Sequence, residues 1–308
     1  MTAAAVLLAC GGGDSTGAGS TPGAGNYSIT IRYIDATSPS STVQASVSRA
    51  VARWEQIVRD SVGSVSLTLP AGTCDSTQPA INESVKDLLI LVHTENIPDT
   101  VPGETILGEG GPCIIRNFNN LPVMGMLELN GPSAQTLANE GLLDVVFEHE
   151  IGHILGVGTI WDLDGLLQDS LTSTPWFSGP QAQAAFRAAQ PNFIGNVVPV
   201  EGTGQVGTIL AHWRESAMTN ELMTGLIDPL PDPLSKITIA SLADLGYTVN
   251  TAVADPWPTP TGSVQATMGN IALRLVPPSG RAVPQLQLRR PRFAVTRQGQ
   301  LIRLPGNR

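Results

Sequence analysis

The stretch of sequence that decides the fold is His149-Glu150-Ile151-Gly152-His153-Ile154-Leu155-Gly156-Val157-Gly158-Thr159. It contains the pattern H-E-x-x-H, which on a helix places two imidazoles four residues apart on one face. Neutral imidazole nitrogens are good zinc ligands, and a neighbouring carboxylate can take a proton from water on the metal. The stretch therefore predicts a zinc-binding helix, with His149 and His153 as ligands and Glu150 as the general base.

The residues before and after the motif fit a helix that faces the protein interior. Five residues fall on one side at helical spacing: Leu142, Val145, Val146, His149 and His153. Gly156 follows three residues after His153, where a glycine with positive φ readily ends a helix. The alternative interpretation is a helix with two hydrogen-bonded core histidines and no metal.

Length and composition limit the class of protein. The chain has 308 residues, 42% of them apolar, which is enough for one large domain or two. It has no run of eighteen apolar residues, so we expect no transmembrane helix. Residues 251–308 contain eight arginines and one acidic residue, a net charge of +7, whereas the rest carries −16. The acidic body argues against nucleic acid as a partner.

The N-terminal segment, residues 1–26, indicates export. Leu7-Leu8-Ala9-Cys10 resembles the lipobox of bacterial lipoproteins, in which the cysteine is lipidated after signal cleavage, although residues 1–9 lack a basic residue. Residues 11–26 are rich in Gly, Ser and Thr and predict a flexible tether. We expect a bacterial cell-envelope lipoprotein or a secreted protein that contacts a membrane only through lipid on Cys10. An ordinary uncleaved N-terminus is the alternative.

Two further cysteines, Cys74 and Cys113, remain once Cys10 is set aside. In an oxidising compartment we expect a disulfide between them. The alternative is two free buried thiols. Zinc ligation by these cysteines is disfavoured because histidines are present for that role.

Apolar periodicity outlines the N-terminal half. Strands are predicted at Tyr27–Ile34, Val65–Leu69, Asp87–Val92, Ile114–Ile115 and Val123–Leu129. Helices are predicted from about Val43 to Asp60, and from a start between Ser133 and Glu140 through the H-E-x-x-H motif. This order suggests a twisted sheet backed by two helices. Val123–Leu129 is the candidate for a cleft-edge strand that pairs with an extended peptide, although any edge strand shows the same pattern.

The C-terminal half is less regular. The long stretch from Val157 to Ala211 predicts a structured insertion with a short helix at Gln181–Gln190, and a further helix is expected at Ser235–Leu245. Residues 251–308 form a Pro- and Arg-rich tail with short strand candidates at Ile271–Val276 and Leu286–Leu288. This tail fits a loosely ordered appendage and a small β element equally well. Its arginines suit an anionic envelope, but a solvated tail is the default expectation.

A catalytic zinc needs a third protein ligand. The compact pattern H-E-x-x-H-x-x-G-x-x-H would place it at position 159, which is a threonine, so His93 and His212 are the remaining histidines. We interpret His93 as a strand-end histidine because it directly follows an apolar strand. From the residues alone, a glutamate remains an alternative third ligand, the candidates being Glu201, Glu215 and Glu221.

Two segments together carry a family resemblance. His149–Gly156, an insertion of 55 residues, and the stretch 212–225 with its Glu-Leu-Met-Thr-Gly closely resemble the leishmanolysin branch of the metzincin metallopeptidases. The resemblance is strong over about 140–250 and only architectural over 27–130. It implies His212 as the third ligand of one catalytic Zn²⁺, and Met223 as the Met-turn residue beneath it.

The resemblance also implies the fold and the function. The fold class is α+β, a metzincin-type zincin whose catalytic domain spans 27–250. Its N-terminal subdomain, 27–156, has a twisted mixed sheet and two helices, and its C-terminal subdomain, 157–250, is irregular and helical. The function is that of a monomeric zinc endopeptidase acting on proteins or peptides. The alternatives are a non-catalytic zinc-containing surface adhesin and a zinc hydrolase of non-peptide amides.

Overall fold

The computed structural model describes residues 27–97, 106–193, 195, 197–204, 208–227, 231–258, 285–288 and 290–305. Within these ranges no helix combines the length and apolarity needed to cross a membrane. Cys10 and the predicted tether 11–26 lie outside the described residues, as does the strand candidate Ile271–Val276.

The elements follow one another along the chain with these bounds. The first half contains β1 (Ile29–Tyr33), α1 (Ser41–Ile57), β2 (Ser64–Leu69), β3 (Ile81–Lys86), β4 (Leu88–Glu95), β5 (Ile106–Arg116), β6 (Pro122–Asn130), α2 (Gly131–Glu140) and α3 (Leu143–Leu155). The second half contains β7 (Leu167–Gln168), β8 (Trp176–Phe177), α4 (Pro180–Ala189), β9 (Val198–Pro199), α5 (Glu215–Met218), α6 (Lys236–Asp244), β10 (Gln285–Leu288), β11 (Phe293–Val295) and β12 (Leu301–Arg303).

A mixed sheet forms the centre of the molecule, as predicted. In the described part of the chain its strand order is β1-β4-β6-β5-β11-β12, and β10 also pairs with β5. Strands β1, β4 and β6 are parallel, whereas β5 runs antiparallel to β6. The α+β class expected from the sequence is confirmed, with α1 and α3 packed against each other over the sheet.

The position of strand β4 between two apolar clusters explains why its sequence is continuously apolar. Leu88 and Ile90 belong to the large cluster that includes α1 and α3, whereas Leu89 and Leu91 belong to a second cluster with β2 and β3. Alternate residues of a strand point to opposite faces, so the sheet is covered on both sides here. The second cluster contains the disulfide between Cys74 and Cys113, whose Cα atoms are 5.8 Å apart, as expected.

Helix α3 rests on the sheet where β5 and β6 have glycines. A Cβ added to Gly125 would lie 2.4 Å from Ile154 Cγ2, and one added to Gly110 would lie 2.5 Å from Glu150 Oε2. From the other side, Trp54 of α1 donates a hydrogen bond to the backbone oxygen of Glu148 at 2.9 Å. The helix that carries the H-E-x-x-H motif is therefore held closely against the strands on one side and α1 on the other.

Two predictions about this region are wrong. The single helix expected from 133–140 onward is two helices, because Gly141 adopts φ 74° and ends α2 before α3 begins. The cleft-edge strand predicted at Val123–Leu129 lies within β6, which pairs with β4 on one side and β5 on the other. Both edges of β6 are therefore occupied, and it cannot accept a peptide as an added strand.

The C-terminal residues that the structure describes take the β alternative. Residues Leu286–Leu288 fall in β10, and β10 and β11 both pair in parallel with β5. Strand β12 then pairs antiparallel with β11. The expected helices in the second half are confirmed as α4 and α6, and three two-residue strands, β7 to β9, form a small separate sheet.

Candidate metal centre

Three histidine side chains meet between α3 and the segment that precedes α5. His212 Nε2 lies 3.2 Å from His149 Nε2 and 3.0 Å from His153 Nε2. All three residues are buried, and within the described chain they form a group whose ligand atoms lie within 4.8 Å of one another. The chain thus brings together two histidines on one helix turn and a third some sixty residues away.

The second nitrogen of each ring determines what the first can do. Nδ1 lies 2.6 Å from Leu222 O in His149, 2.8 Å from Val157 O in His153, and 2.9 Å from Thr208 O in His212. A carbonyl oxygen only accepts, so each Nδ1 carries the proton and each neutral ring presents its Nε2 lone pair. Three converging lone pairs repel one another unless a cation lies among them. The donor set therefore fits a divalent metal such as zinc.

Burial keeps these rings neutral. It lowers the pKa of His149 to about 3, assisted by the neighbouring His212, and lowers the pKa of His212 to about 4. The pKa of His153 is also well below its usual value, first through burial and then through the other two histidines. At neutral pH the three imidazoles are consequently ready to bind a metal.

An aromatic cluster fixes the segment that carries His212. The ring of Trp213 stacks on Trp161 with centroids 4.5 Å apart and meets Phe177 edge-on at 5.6 Å. Trp213 Nε1 also donates to Thr238 Oγ1 of α6 at 2.7 Å. Because Trp161 lies six residues after the end of α3, this cluster links the segment that follows the motif helix to the third histidine.

The turn at 221–224 lies beneath the motif helix. Met223 is fully buried, and a Cβ added to Gly152 would lie 2.8 Å from Met223 Sδ. The backbone of Met223 accepts a hydrogen bond from Trp213 N at 3.0 Å. Gly152, one residue before His153, is therefore the position that lets the predicted Met-turn methionine approach the helix.

Glu221 holds this turn in place rather than joining the histidines. Its buried carboxylate accepts hydrogen bonds from Met223 N at 2.7 Å, Ser235 N at 3.1 Å, Ser235 Oγ at 2.7 Å and Thr238 Oγ1 at 2.5 Å. Burial raises its pKa against the effect of these donors. The next residue, Leu222, supplies the carbonyl that accepts from His149. Sequence reasoning considered Glu221 only as a ligand and missed this supporting role.

The side chain of Glu150 points toward strand β5. Its carboxylate lies over Gly108 and Gly110, whose added Cβ atoms would approach Oε1 to 3.6 Å and Oε2 to 2.5 Å. The residue is fully buried, and neither carboxylate oxygen has a hydrogen-bond partner among the described residues. Burial raises its pKa well above the usual value, and Glu109 adds to the effect. A buried carboxylate without a hydrogen-bond partner, next in sequence to His149 on the motif helix, fits a general acid–base group.

The model of the leishmanolysin family matches residues 71–263, a range that contains the three histidines, Glu150 and Met223. The chain belongs to the leishmanolysin family. A comparison with curated proteins found no match. The resemblance identified from the motif segments is thereby confirmed, and membership supports a metallopeptidase whose histidine triad is positioned to bind a metal ion.

The other candidate ligands, His93, Glu201 and Glu215, lie outside the histidine group. His93 was expected at the end of its strand, but β4 continues to Glu95, so His93 lies within it. Its Nδ1 contacts Asp35, and its Nε2 lies 3.5 Å from Glu95. Glu201 accepts from the backbone nitrogens of Thr203 and Glu215 at 2.9 and 3.4 Å. Among the described residues, neither Glu201 nor Glu215 belongs to the histidine group.

Proposed function

We propose that the protein is a zinc-dependent endopeptidase, with His149, His153 and His212 as the zinc ligands and Glu150 as the general base. The observation that carries the proposal is the combination of three converging Nε2 lone pairs with a buried carboxylate that lacks a partner. Zinc is proposed over other divalent ions because an all-imidazole donor set with an open position suits it.

Zinc in this site would polarise both a water molecule and the scissile carbonyl. The chain's own residues supply the rest of the reaction. Leu222 O, Val157 O and Thr208 O hold the three Nδ1 protons, which keeps each Nε2 oriented toward the centre of the triad. Met223, packed under Gly152, excludes water from below the histidines.

Glu150 moves the proton. Its carboxylate accepts a proton from the attacking water at one oxygen and then donates it to the nitrogen of the departing amine. A raised pKa suits both steps, because a buried carboxyl binds the proton readily and still releases it to a stronger base. As the residue next to His149, it projects about 100° around the helix from that ligand, so it need not bind the metal itself.

The neighbouring Glu148 provides a matched control for this role. It is also largely buried, and burial raises its pKa to about 7, but it faces α1 and lies 3.5 Å from Arg53 Nε. Glu150→Gln should lower the rate of casein hydrolysis by roughly 10²–10⁴-fold and keep one zinc per chain. Glu148→Gln should stay within a few-fold of the parent rate. Both are measured by proteolysis assay and metal analysis.

The outcomes separate the candidate functions. Full activity in Glu150→Gln would remove Glu150 from the mechanism. Zinc binding by the parent protein without chelator-sensitive hydrolysis of diverse peptides would favour the non-catalytic adhesin.

We also propose that the protein acts outside the cytoplasm. The disulfide between Cys74 and Cys113 supports this location, because such bonds persist in oxidising compartments. Lipidation at Cys10 remains part of the proposal. Metabolic labelling with a palmitate analogue, compared with Cys10→Ser, tests it, and labelling of both proteins to the same extent would contradict it.

A further inference from the structure

The outer edge of strand β5 is covered by the C-terminal part of the chain. On its inner side β5 pairs with β6. On its outer side β10 pairs in parallel with its first half, placing Gln285 opposite Ile106 and Leu288 opposite Gly110. Strand β11 pairs with its second half, placing Phe293 opposite Ile114.

The segment covered by β10 is the part of β5 nearest to Glu150. Gly110 lies directly beneath the carboxylate of Glu150, and a Cβ there would also lie 2.7 Å from the backbone oxygen of that residue. Leu288 is the partner of Gly110 in the ladder, so β10 lies one strand spacing, about 4.8 Å, from this point. A strand of the chain itself therefore occupies the sheet edge beside the proposed general base.

The residues after β10 are anchored independently of it. Arg292 donates from its backbone to Cys113 O at 3.0 Å and from Nη1 to Cys74 O at 2.8 Å. Arg290 forms an ion pair with Asp162 at 2.7 Å, on the segment that follows α3. These contacts would hold β11 and β12 in place whether or not β10 stays paired.

An extended peptide substrate can bind a sheet by adding a strand to an edge, using the same main-chain groups that β10 uses now. One edge cannot hold two strands at once. We propose, building on the proposed peptidase function, that Gln285–Leu288 is an internal occupant of the peptide-binding edge of β5 and competes with substrate. Because it is tethered close to its anchor, it acts at an effective concentration on the order of millimolar.

Competition of this kind lowers the apparent affinity for any peptide in proportion to the fraction of molecules whose edge is free. Gln287→Pro removes a backbone N–H from β10 and fixes φ near −65°, away from about −120° in a parallel strand, so it should weaken the pairing with β5. The matched control, Gln287→Ala, removes the same side chain and keeps the N–H. We expect Gln287→Pro to lower KM for casein-derived peptides roughly 10-fold with little change in kcat, whereas Gln287→Ala matches the parent.

A binding measurement that needs no catalysis tests the inference separately from the proposed function. A fluorescein-labelled synthetic peptide with the sequence of residues 284–290 is titrated into the full-length Glu150→Gln protein with and without each Gln287 change. Roughly 10-fold tighter binding to the Gln287→Pro form alone supports the inference, even if the parent protein hydrolyses nothing. Equal affinity for the three forms, or no binding to any of them, overturns it, even if peptide hydrolysis is robust. Unchanged zinc content verifies that the variants are folded.

Discussion

In each of the three rings, a single hydrogen bond from Nδ1 to a backbone carbonyl decides the chemistry of the centre. Because Nδ1 donates its proton to the carbonyl of Leu222, Val157 or Thr208, the opposite nitrogen keeps a lone pair that can bind a metal. These carbonyls belong to backbone, so no side-chain pattern in the sequence could identify them. The H-E-x-x-H pattern predicts the two helix histidines because their spacing is local, and nothing in that spacing predicts their acceptors.

Zinc binding should displace almost no protons from these histidines. Burial lowers the pKa of His149 to about 3 and that of His212 to about 4, so both rings should be neutral near pH 6 before metal binds. Three ordinary imidazoles would release roughly two protons on binding zinc near that pH. Calorimetric titration of zinc into the metal-free protein, in two buffers of different ionisation enthalpy, should instead detect clearly fewer, because the histidines contribute almost none. Release of about two protons would contradict the account.

The same shifts fix the sign of a stability effect. Since these folded-state pKa values lie below the unfolded value of about 6.5, the unfolded chain binds more protons at acidic pH. The free energy of unfolding of the metal-free protein should fall as the pH drops from about 6.5 toward about 4, by up to about 1.4 kcal/mol per pH unit for each histidine.

Replacing Glu221 should weaken zinc binding even though its carboxylate does not belong to the histidine group. Glu221→Ala leaves buried donors on Met223, Ser235 and Thr238 without an acceptor, which should lower the free energy of unfolding by roughly 3–5 kcal/mol. Zinc affinity should fall about 10–100-fold, because Leu222 O no longer fixes the ring of His149. Glu221→Gln retains acceptor oxygen and should recover part of both losses. Competition with a zinc chelator measures the affinity, and parent-like affinity in Glu221→Ala would refute this role.

At the scale of elements, the position of α3 depends on glycines of β5 and β6, which place no side chain between the strands and the helix. Strand β4 could be predicted because its apolar run is covered on both faces. Strand β5 could not be predicted beyond Ile114–Ile115, because Gly108, Gly110, Gly111 and Pro112 have the composition of a turn. The structure explains Gly110 by the close approach of α3, and Gly108 by Glu128 O of β6, which would lie 2.9 Å from an added Cβ. Composition alone cannot distinguish a turn from a strand on which a helix rests.

Gly110→Ala tests the packing of α3 against β5. The added methyl group would lie 2.5 Å from Glu150 Oε2 and 2.7 Å from its backbone oxygen, so the helix itself must shift. We expect a loss of about 1–3 kcal/mol in the free energy of unfolding, with weaker catalysis. Gly131→Ala is the control, since its methyl group would meet Thr94 Cγ2 at 3.2 Å and Glu95 O at 3.5 Å, both farther away than the contacts at Gly110. Denaturant unfolding compares the two, and equal stability would show that α3 does not need the glycine.

At the scale of the whole molecule, the centre joins segments that are distant in sequence. His149 and His153 come from a helix on the central sheet, and His212 comes from an irregular region fixed by Trp161, Phe177 and Trp213. An insertion of this length hides the third histidine from spacing arguments, so the family resemblance was needed to select it over a glutamate. The C-terminal strands were less predictable still, because three-residue strands such as Phe293–Val295 form only where a long neighbour such as β5 offers an edge.

The most direct test of the account is the zinc content of three proteins after dialysis against a weak chelator. The parent protein and His93→Ala should each retain one zinc per chain, because His93 lies with Asp35 and apart from the triad. His212→Ala should lose its zinc, with affinity reduced by more than roughly 100-fold. If His212→Ala keeps one zinc as tightly as the parent, the three histidines do not form the metal centre.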